Sequence, residues 1–471
     1  MSIKIPKEVI DALDEKYIER IEHAVTIQEK DPTTSIEGLS NPVKKNKSFS
    51  KKKTPQSFFR EKTEICTLHR HHTDFYLPFA SAIHLGFRDH RPSLPKIKNW
   101  PPFNIPLREE QTIILQEAID HLKKESCVLL AVYPGGGKTI TTIRLARVLG
   151  LPTLVIVNRL VLMEQWEETI RKCFSNDNLC QRIEGKSIPQ PGKLFYVINA
   201  INIPKHSVST WSETLGIGTV IVDECHLILT KVFVQSLGCL APRFMIGLSA
   251  TPYRHDGMNE LFEVYFNASK TVIYRPLKRY HHVFPLHTPI HYENEYDASG
   301  RLIWNRIIDA QSFHEERMDW IVDLCHHFPE RRILILGKRV DALTMLFEKL
   351  KKKGESAAVF TSNDLAYDTE ARILLSTFSK VGTGFSHDCL DSLILANDCE
   401  GYFLQYLGRV FRRPDVIPLI FDIVDKHSIL QNHFRTRRTL YEQVGGVFQK
   451  PPACWMQNAE NMQDIKKKIL K

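Results

Sequence analysis

At 471 residues the chain is too long for one hydrophobic core, so two or three domains are expected. An apolar share of 43% and a charged share of 25% are those of a soluble globular protein. Lys and Arg number 63 against 54 Asp and Glu, and the formal charge of +9 suits an anionic partner such as nucleic acid.

The 10 cysteines are scattered without a Cys-x-x-Cys pair, which points to reduced thiols inside a cell rather than a disulfide framework. The first ten residues lack the unbroken apolar stretch of a secretory signal, and no long uncharged apolar run follows anywhere. The expectation is a soluble, intracellular protein with no membrane partner.

Residues 1–105 form an N-terminal accessory region. Its run from Lys44 to Pro55 is polar and basic and reads as a linker, with a phosphate contact, a nuclear address and a merely solvated tether all open. The apolar stretch 74–83 can pack as a small domain or a brace. Cys66, His69, His71 and His72 have no second ligand pair at a zinc-like distance and read as a polar surface loop.

From residue 106 short apolar runs alternate with helical spacing, the pattern of a parallel sheet covered on both faces. Strands are predicted over 128–132, 154–157, 195–198, 220–222 and 245–248, and helices over 139–149 and 160–173. Residues 281–304, with Pro285, Pro289 and several histidines, read as a connector. A second alternating series follows, with strands over 333–336, 357–360, 373–375, 393–396 and 419–424 and helices over 340–351 and 402–407. Domain 1 therefore spans 106–280, domain 2 spans 305–447, and 448–471 reads as a basic tail ending in the solvated Lys466-Lys467-Lys468. Trp166 and Trp320 read as core aromatics, with base stacking open for both.

Four motifs carry the chemistry. An apolar strand feeds Tyr133-Pro134-Gly135-Gly136-Gly137-Lys138-Thr139 and then a helix. Such glycines let backbone N–H groups turn toward phosphate oxygens at a helix N-terminus, Lys138 can reach the β and γ phosphates, and Thr139 can hold Mg²⁺. Val132 stands where the strict pattern has its first glycine. Next, the strand ending in Asp223-Glu224 buries paired carboxylates, which is costly without a cation, so Asp223 is expected to hold Mg²⁺ and Glu224 to deprotonate the attacking water.

Ser249-Ala250-Thr251 closes another strand and can relay between these acids and a bound strand. Finally, Gln405-Tyr406-Leu407-Gly408-Arg409-Val410-Phe411-Arg412 sets Arg409 and Arg412 on one helical face, able to stabilise transition-state charge as arginine fingers. Ahead of the glycine loop, Arg108 and Gln111 open a helix, and the Gln111 amide can match an adenine edge.

With 154–159 and Gln165-Trp166, these motifs resemble superfamily 2 DNA helicases. The resemblance is strongest to the XPB-like repair helicases, the phage UvsW-type helicases, and the poxvirus transcript-release helicases with their relatives in other large DNA viruses. Residues 249–257 and 421–428 are the branch-specific pieces, and the match runs from about residue 106 to 447.

The resemblance implies an α/β protein with two tandem RecA-like domains and a small N-terminal extension, using ATP and Mg²⁺. It implies a nucleotide site of Arg108, Gln111, Pro134 to Thr139 and Thr141, with Glu224, Asp223, Lys138, Gln405, Arg409 and Arg412 in catalysis and Thr139 and Asp223 on the metal. Arg159, Thr251 and Thr377 are the implied nucleic-acid contacts. Where the family carries an acid, this chain has Ser386, and Asp388 stands two residues further on.

The expected activity is an ATP-dependent DNA helicase or translocase, acting on single-stranded or duplex DNA in viral transcription, repair or recombination. Transcription or repair proteins are expected partners. If viral, the host cytoplasm, the nucleus and the virion are the expected places. Two rivals stay open: an RNA-dependent ATPase or transcript-release translocase, and a structural subunit with a vestigial ATPase.

Overall fold

A computed structural model of the chain describes residues 2–5, 8–9, 12, 14–28, 64–71, 74–87, 91, 94–185, 187–238, 240–250, 254, 257–361, 364, 367–382, 387–399 and 403–456. The basic run 44–55, His72, Thr251, Ser386 and Lys466 to Lys468 lie outside them. Two compact units, Met1–Arg275 and Pro276–Lys471, make up the chain.

The first unit opens with short strands: β1 (Ser2–Ile5), β2 (Thr26–Gln28), β3 (Glu64–Cys66), β4 (His69–His71) and β5 (Asp74–Pro78). β1, β5 and β4 form an antiparallel sheet, and β2 pairs β3. Ile3, Ile5, Ile21, Val25, Leu77 and Ala82 make a small core of their own. Ile27 and Ile65 instead join the core of the large sheet that follows. Arg91 ties the same region down, donating to Pro242 O at 2.8 Å with its guanidinium 3.8 Å from the Phe79 ring centre. The extension is thus a brace on the first unit.

The large sheet of this unit contains β6 (Cys127–Val132), β7 (Thr153–Val157), β8 (Cys180–Ile183), β9 (Phe195–Asn199), β10 (Thr219–Val222), β11 (Phe244–Ser249) and β12 (Val272–Arg275), in the order β12-β6-β11-β10-β7-β9-β8. Every neighbouring pair is parallel. Alternation along each strand divides the buried side chains between two faces. Leu129, Leu154, Ile156, Val220 and Val222 enter one core, while Val128, Leu130, Val155, Val157 and Ile221 enter the other. Helices Glu109–Glu125, Lys138–Leu149 and Leu160–Phe174 cover the second face. Apolar runs without polar alternation need this double cover, which explains why the strands read so clearly.

The second unit repeats the pattern with β13 (His281–His287), β14 (Ile333–Gly337), β15 (Ala357–Phe360), β16 (Ile373–Thr377), β17 (Ser392–Leu395), β18 (Leu419–Val424) and β19 (Gly446–Phe448). Their order is β15-β16-β14-β17-β18-β13-β19, again parallel throughout.

Two expectations change here. The stretch read as a connector begins with β13, a strand inside this sheet between β18 and β19. The stretch read as a basic tail contributes Trp455, 2% exposed in the unit's core. Among the described residues no helix is long and apolar enough to cross a membrane.

Candidate nucleotide-hydrolysis site

β6, β11 and β10 are neighbours in the first sheet, and being parallel they end at one edge, where open α/β sheets bind their ligands. Gly135 and Gly137 have φ of +83° and +81°, a conformation that a side chain would strain. A Cβ on Gly136 would lie 2.5 Å from Val132 Cγ1, and one on Gly137 only 2.1 Å from Gln111 Nε2. The loop therefore keeps a bare backbone that turns straight into the helix Lys138–Leu149, whose first N–H groups have no intrahelical acceptor. Lys138 Nζ donates to Val132 O at 3.0 Å, and Thr141 Oγ1 donates to Gly137 O at 3.0 Å. Pro134 and Thr139 are half-buried in the same turn.

Arg108 and Gln111 lean on this loop. The Gln111 Oε1 accepts Arg108 N at 2.8 Å and its Nε2 donates to Gly137 O at 3.3 Å, while Arg108 reaches Gly135 O at 3.1 Å. The amide expected to read a purine edge contacts the loop itself here. Tyr133 OH donates to Glu110 at 2.9 Å, and burial followed by that acid holds the phenol above its usual range.

At the end of β10, Asp223 Oδ2 accepts the indole N–H of Trp166 at 2.8 Å, and its Oδ1 accepts Glu224 N at 3.0 Å. Burial first, and the neighbouring Glu224 charge second, push the Asp223 carboxyl up to about 6, with Trp166 and Lys138 pulling the other way. Glu224 itself sits at φ 45°, a strained position for a residue with a side chain, and its Oε2 is buried with no hydrogen-bond partner among the described residues. Two acids pressed together with an unsatisfied buried oxygen are the donor set a divalent cation and a water would complete. The residues present fit Mg²⁺.

His226 and Trp166 were not singled out as site residues from the sequence. His226 Nδ1 lies 3.5 Å from Glu224 Oε2 and 3.0 Å from Ser249 Oγ, and its backbone carbonyl accepts Arg254 at 2.6 Å. The acid pair and the end of β11 are thereby joined by polar contacts. The fourth letter of Asp223-Glu224-Cys225-His226 was the available signal for His226. Trp166 is core, as expected, and its one polar atom has a second task. Trp320 is 6% exposed and packs edge-on against Trp455 at 5.4 Å, which leaves no face for a base. Arg159 is exposed just after β7.

In the second unit Thr377 ends β16, and its Oγ1 accepts Lys380 N at 3.3 Å. Gln405 is buried on the helix Phe403–Val410, and Arg409 donates to Gly382 O at 3.2 Å. That helix stops at Val410, so Arg412 does not share a helical face with Arg409 as the spacing predicted. Pro414 disfavours helix only at Arg413 and does not by itself set the stop three residues earlier. Asp388, beyond the missing acid, pairs with Arg412 at 2.7 Å.

Residues 104–254 match the family described as "Type III restriction enzyme, res subunit". A chain of Invertebrate iridescent virus 6 named as a helicase is 36% identical over 402 residues, spanning 79% of this chain and 88% of its own. A DNA 3'-5' translocase of Sulfurisphaera tokodaii is 27% identical over 166 residues, 34% of each chain. The structure of S. cerevisiae Dbp5 bound to RNA and ADP BeF3 superposes with a TM-score of 0.50 at 12% identity, covering 78% of this chain and 98% of that one, and shares its two RecA-like folds. Glycine loop, acid pair and the long match to the iridescent-virus chain together make this protein an ATP-hydrolysing member of the superfamily 2 helicases.

Proposed function

We propose that the chain is an ATP-driven DNA translocase that parts or remodels duplex as it moves. The glycine loop and the first N–H groups of helix Lys138–Leu149 hold the phosphates, with Lys138 leaving Val132 O to neutralise the β and γ oxygens. Arg108 and Gln111 keep the loop open from behind. Thr139 and Asp223 would hold Mg²⁺, which supplies charge neutralisation on the transferring phosphoryl. Glu224 Oε2, unsatisfied and buried, orients a water and takes its proton. Arg409 and Arg412 are proposed to stabilise the negative charge that grows in the transition state, with Gln405 offering a neutral hydrogen-bonding amide.

The observation that carries this reading is the Glu224–His226–Ser249 chain of contacts, which ties the hydrolytic acid to a strand end. Hydrolysis alone needs no such relay; a motor needs one. Arg159, Thr251 and Thr377 are proposed backbone contacts, so affinity should be largely sequence-independent and fall steeply with salt. DNA is favoured over RNA by the named activity of the archaeal translocase. The test compares ATP turnover with single-stranded DNA, duplex DNA and RNA. Stimulation by DNA well above that by RNA is expected, and stimulation by RNA alone would replace this reading with an RNA-dependent motor.

A further inference from the structure

Three side chains from three separate elements meet at the carboxyl edge of the second sheet. Trp304 starts the helix Trp304–Ser312, Lys338 follows β14 directly, and His433 lies on the helix Ser428–Gln443. The Lys338 ammonium stands 6.0 Å from the indole centre, and the His433 ring meets the indole edge-on at 5.6 Å and 70°. His433 is fixed by Asp398, whose buried Oδ2 lies 2.6 Å from Nδ1.

The helix that presents Trp304 is bolted down by polar groups rather than by apolar packing alone. Gln311 donates to Asp425 at 2.7 Å, Asn397 donates to Ser312 Oγ at 3.0 Å, and Arg339 binds both Asp309 at 2.6 Å and Asn305 at 3.1 Å. Asn397 and Asp425 follow the ends of β17 and β18, neighbours of each other and, through β17, of β14. The core indoles Trp166, Trp211 and Trp455 are 1%, 2% and 2% exposed. Trp304 is half-buried, packed on the core through one side and flanked by a cation on another. A partly exposed indole on a rigid mount beside basic groups can stack on an unpaired base.

We propose that Trp304, with Lys338 and His433, is a platform on which a base of single-stranded nucleic acid stacks while Lys338 meets the adjoining phosphate. The proposal rests on the motor reading above and adds to it a contact with bases rather than backbone.

The test uses the full chain and strands of about 20 nucleotides: oligothymidylate, an abasic sugar-phosphate strand of equal length, and oligouridylate. Wild type is expected to bind the thymidine strand about ten-fold more tightly than the abasic one, and Trp304→Ala to reduce that preference below about two-fold. Oligouridylate should show the same preference over the abasic strand, since stacking does not require a particular sugar. Oligothymidylate should also quench part of the indole fluorescence, and Trp304→Phe, which keeps a ring in place, should lose that part. An unchanged base preference in Trp304→Ala with unchanged quenching in Trp304→Phe would overturn the platform while leaving nucleic-acid binding intact. Failure of wild type to bind any of the three strands would overturn the motor reading itself.

Discussion

Replacing Trp166 with Phe keeps an aromatic ring in the core and deletes the N–H that holds Asp223 at 2.8 Å. A hydrogen bond to a charged group contributes about 1.5–3 kcal/mol, and about 1.4 kcal/mol corresponds to one pK unit. Burial and the Glu224 charge already push Asp223 up to about 6, which leaves about nine tenths of it ionised at pH 7. Without the indole it should titrate near pH 7 to 8, so that roughly a half to a tenth stays ionised at neutrality. The ionised form is the one able to hold a cation, so activity rises with pH through this titration. The expected result is a two- to ten-fold loss of kcat/KM for ATP at pH 7, about 1–2 pH units of alkaline displacement in the acid limb, and recovery toward wild type near pH 9. Steady-state turnover from pH 5.5 to 9.5 measures it. A Trp166→Phe profile that overlays wild type would refute the assignment of Asp223 as a group whose ionisation limits the reaction.

Three further outcomes are expected. Gly137→Ala places a Cβ 2.1 Å from Gln111 Nε2 at φ +81°, so ATP affinity should fall at least ten-fold, read by titration with a fluorescent nucleotide. Ser249→Ala breaks the 3.0 Å contact with His226 and should leave DNA-stimulated ATP turnover within a few-fold while strand displacement falls more than ten-fold, an uncoupling visible when both assays are run on one preparation. Arg437→Met strands two buried acids, Asp422 and Asp398, each 2.8 Å from the lost guanidinium, and should destabilise the second unit by about 3–5 kcal/mol in denaturant unfolding.

The central strands were legible because β6, β7, β9, β10 and β11 are buried on both faces and must be apolar throughout. β8, with the sequence Cys180-Gln181-Arg182-Ile183, escaped because it is an edge strand and half-exposed. β13 was hidden by its histidines and by Pro285, which cannot donate to a ladder. Its pairing with β19 ends at Val283, so Pro285 lies where the strand has only β18 beside it and a missing N–H can be tolerated. Trp455 sits in a short turn after two prolines, with no periodicity to betray that it is core.

The phosphate loop and acid pair were readable as letters because backbone geometry demands glycine and metal chemistry demands carboxylate. The partners that tune them were not. Trp166 reaches Asp223 across 57 positions, and Ser249 reaches His226 across 23, separations that no local pattern encodes. The end of the arginine helix at Val410, which parts Arg412 from Arg409, has no marker in the letters before it.

ATP hydrolysis measured with and without single-stranded DNA, beside Glu224→Gln, tests the central claim most directly. Turnover that rises at least ten-fold with DNA in wild type and falls at least a hundred-fold in Glu224→Gln, with nucleotide binding retained in the variant, is the predicted result (roughly 3 kcal/mol of transition-state stabilisation). Equal turnover in the two proteins, or turnover indifferent to nucleic acid of any kind, would contradict a motor driven from this site.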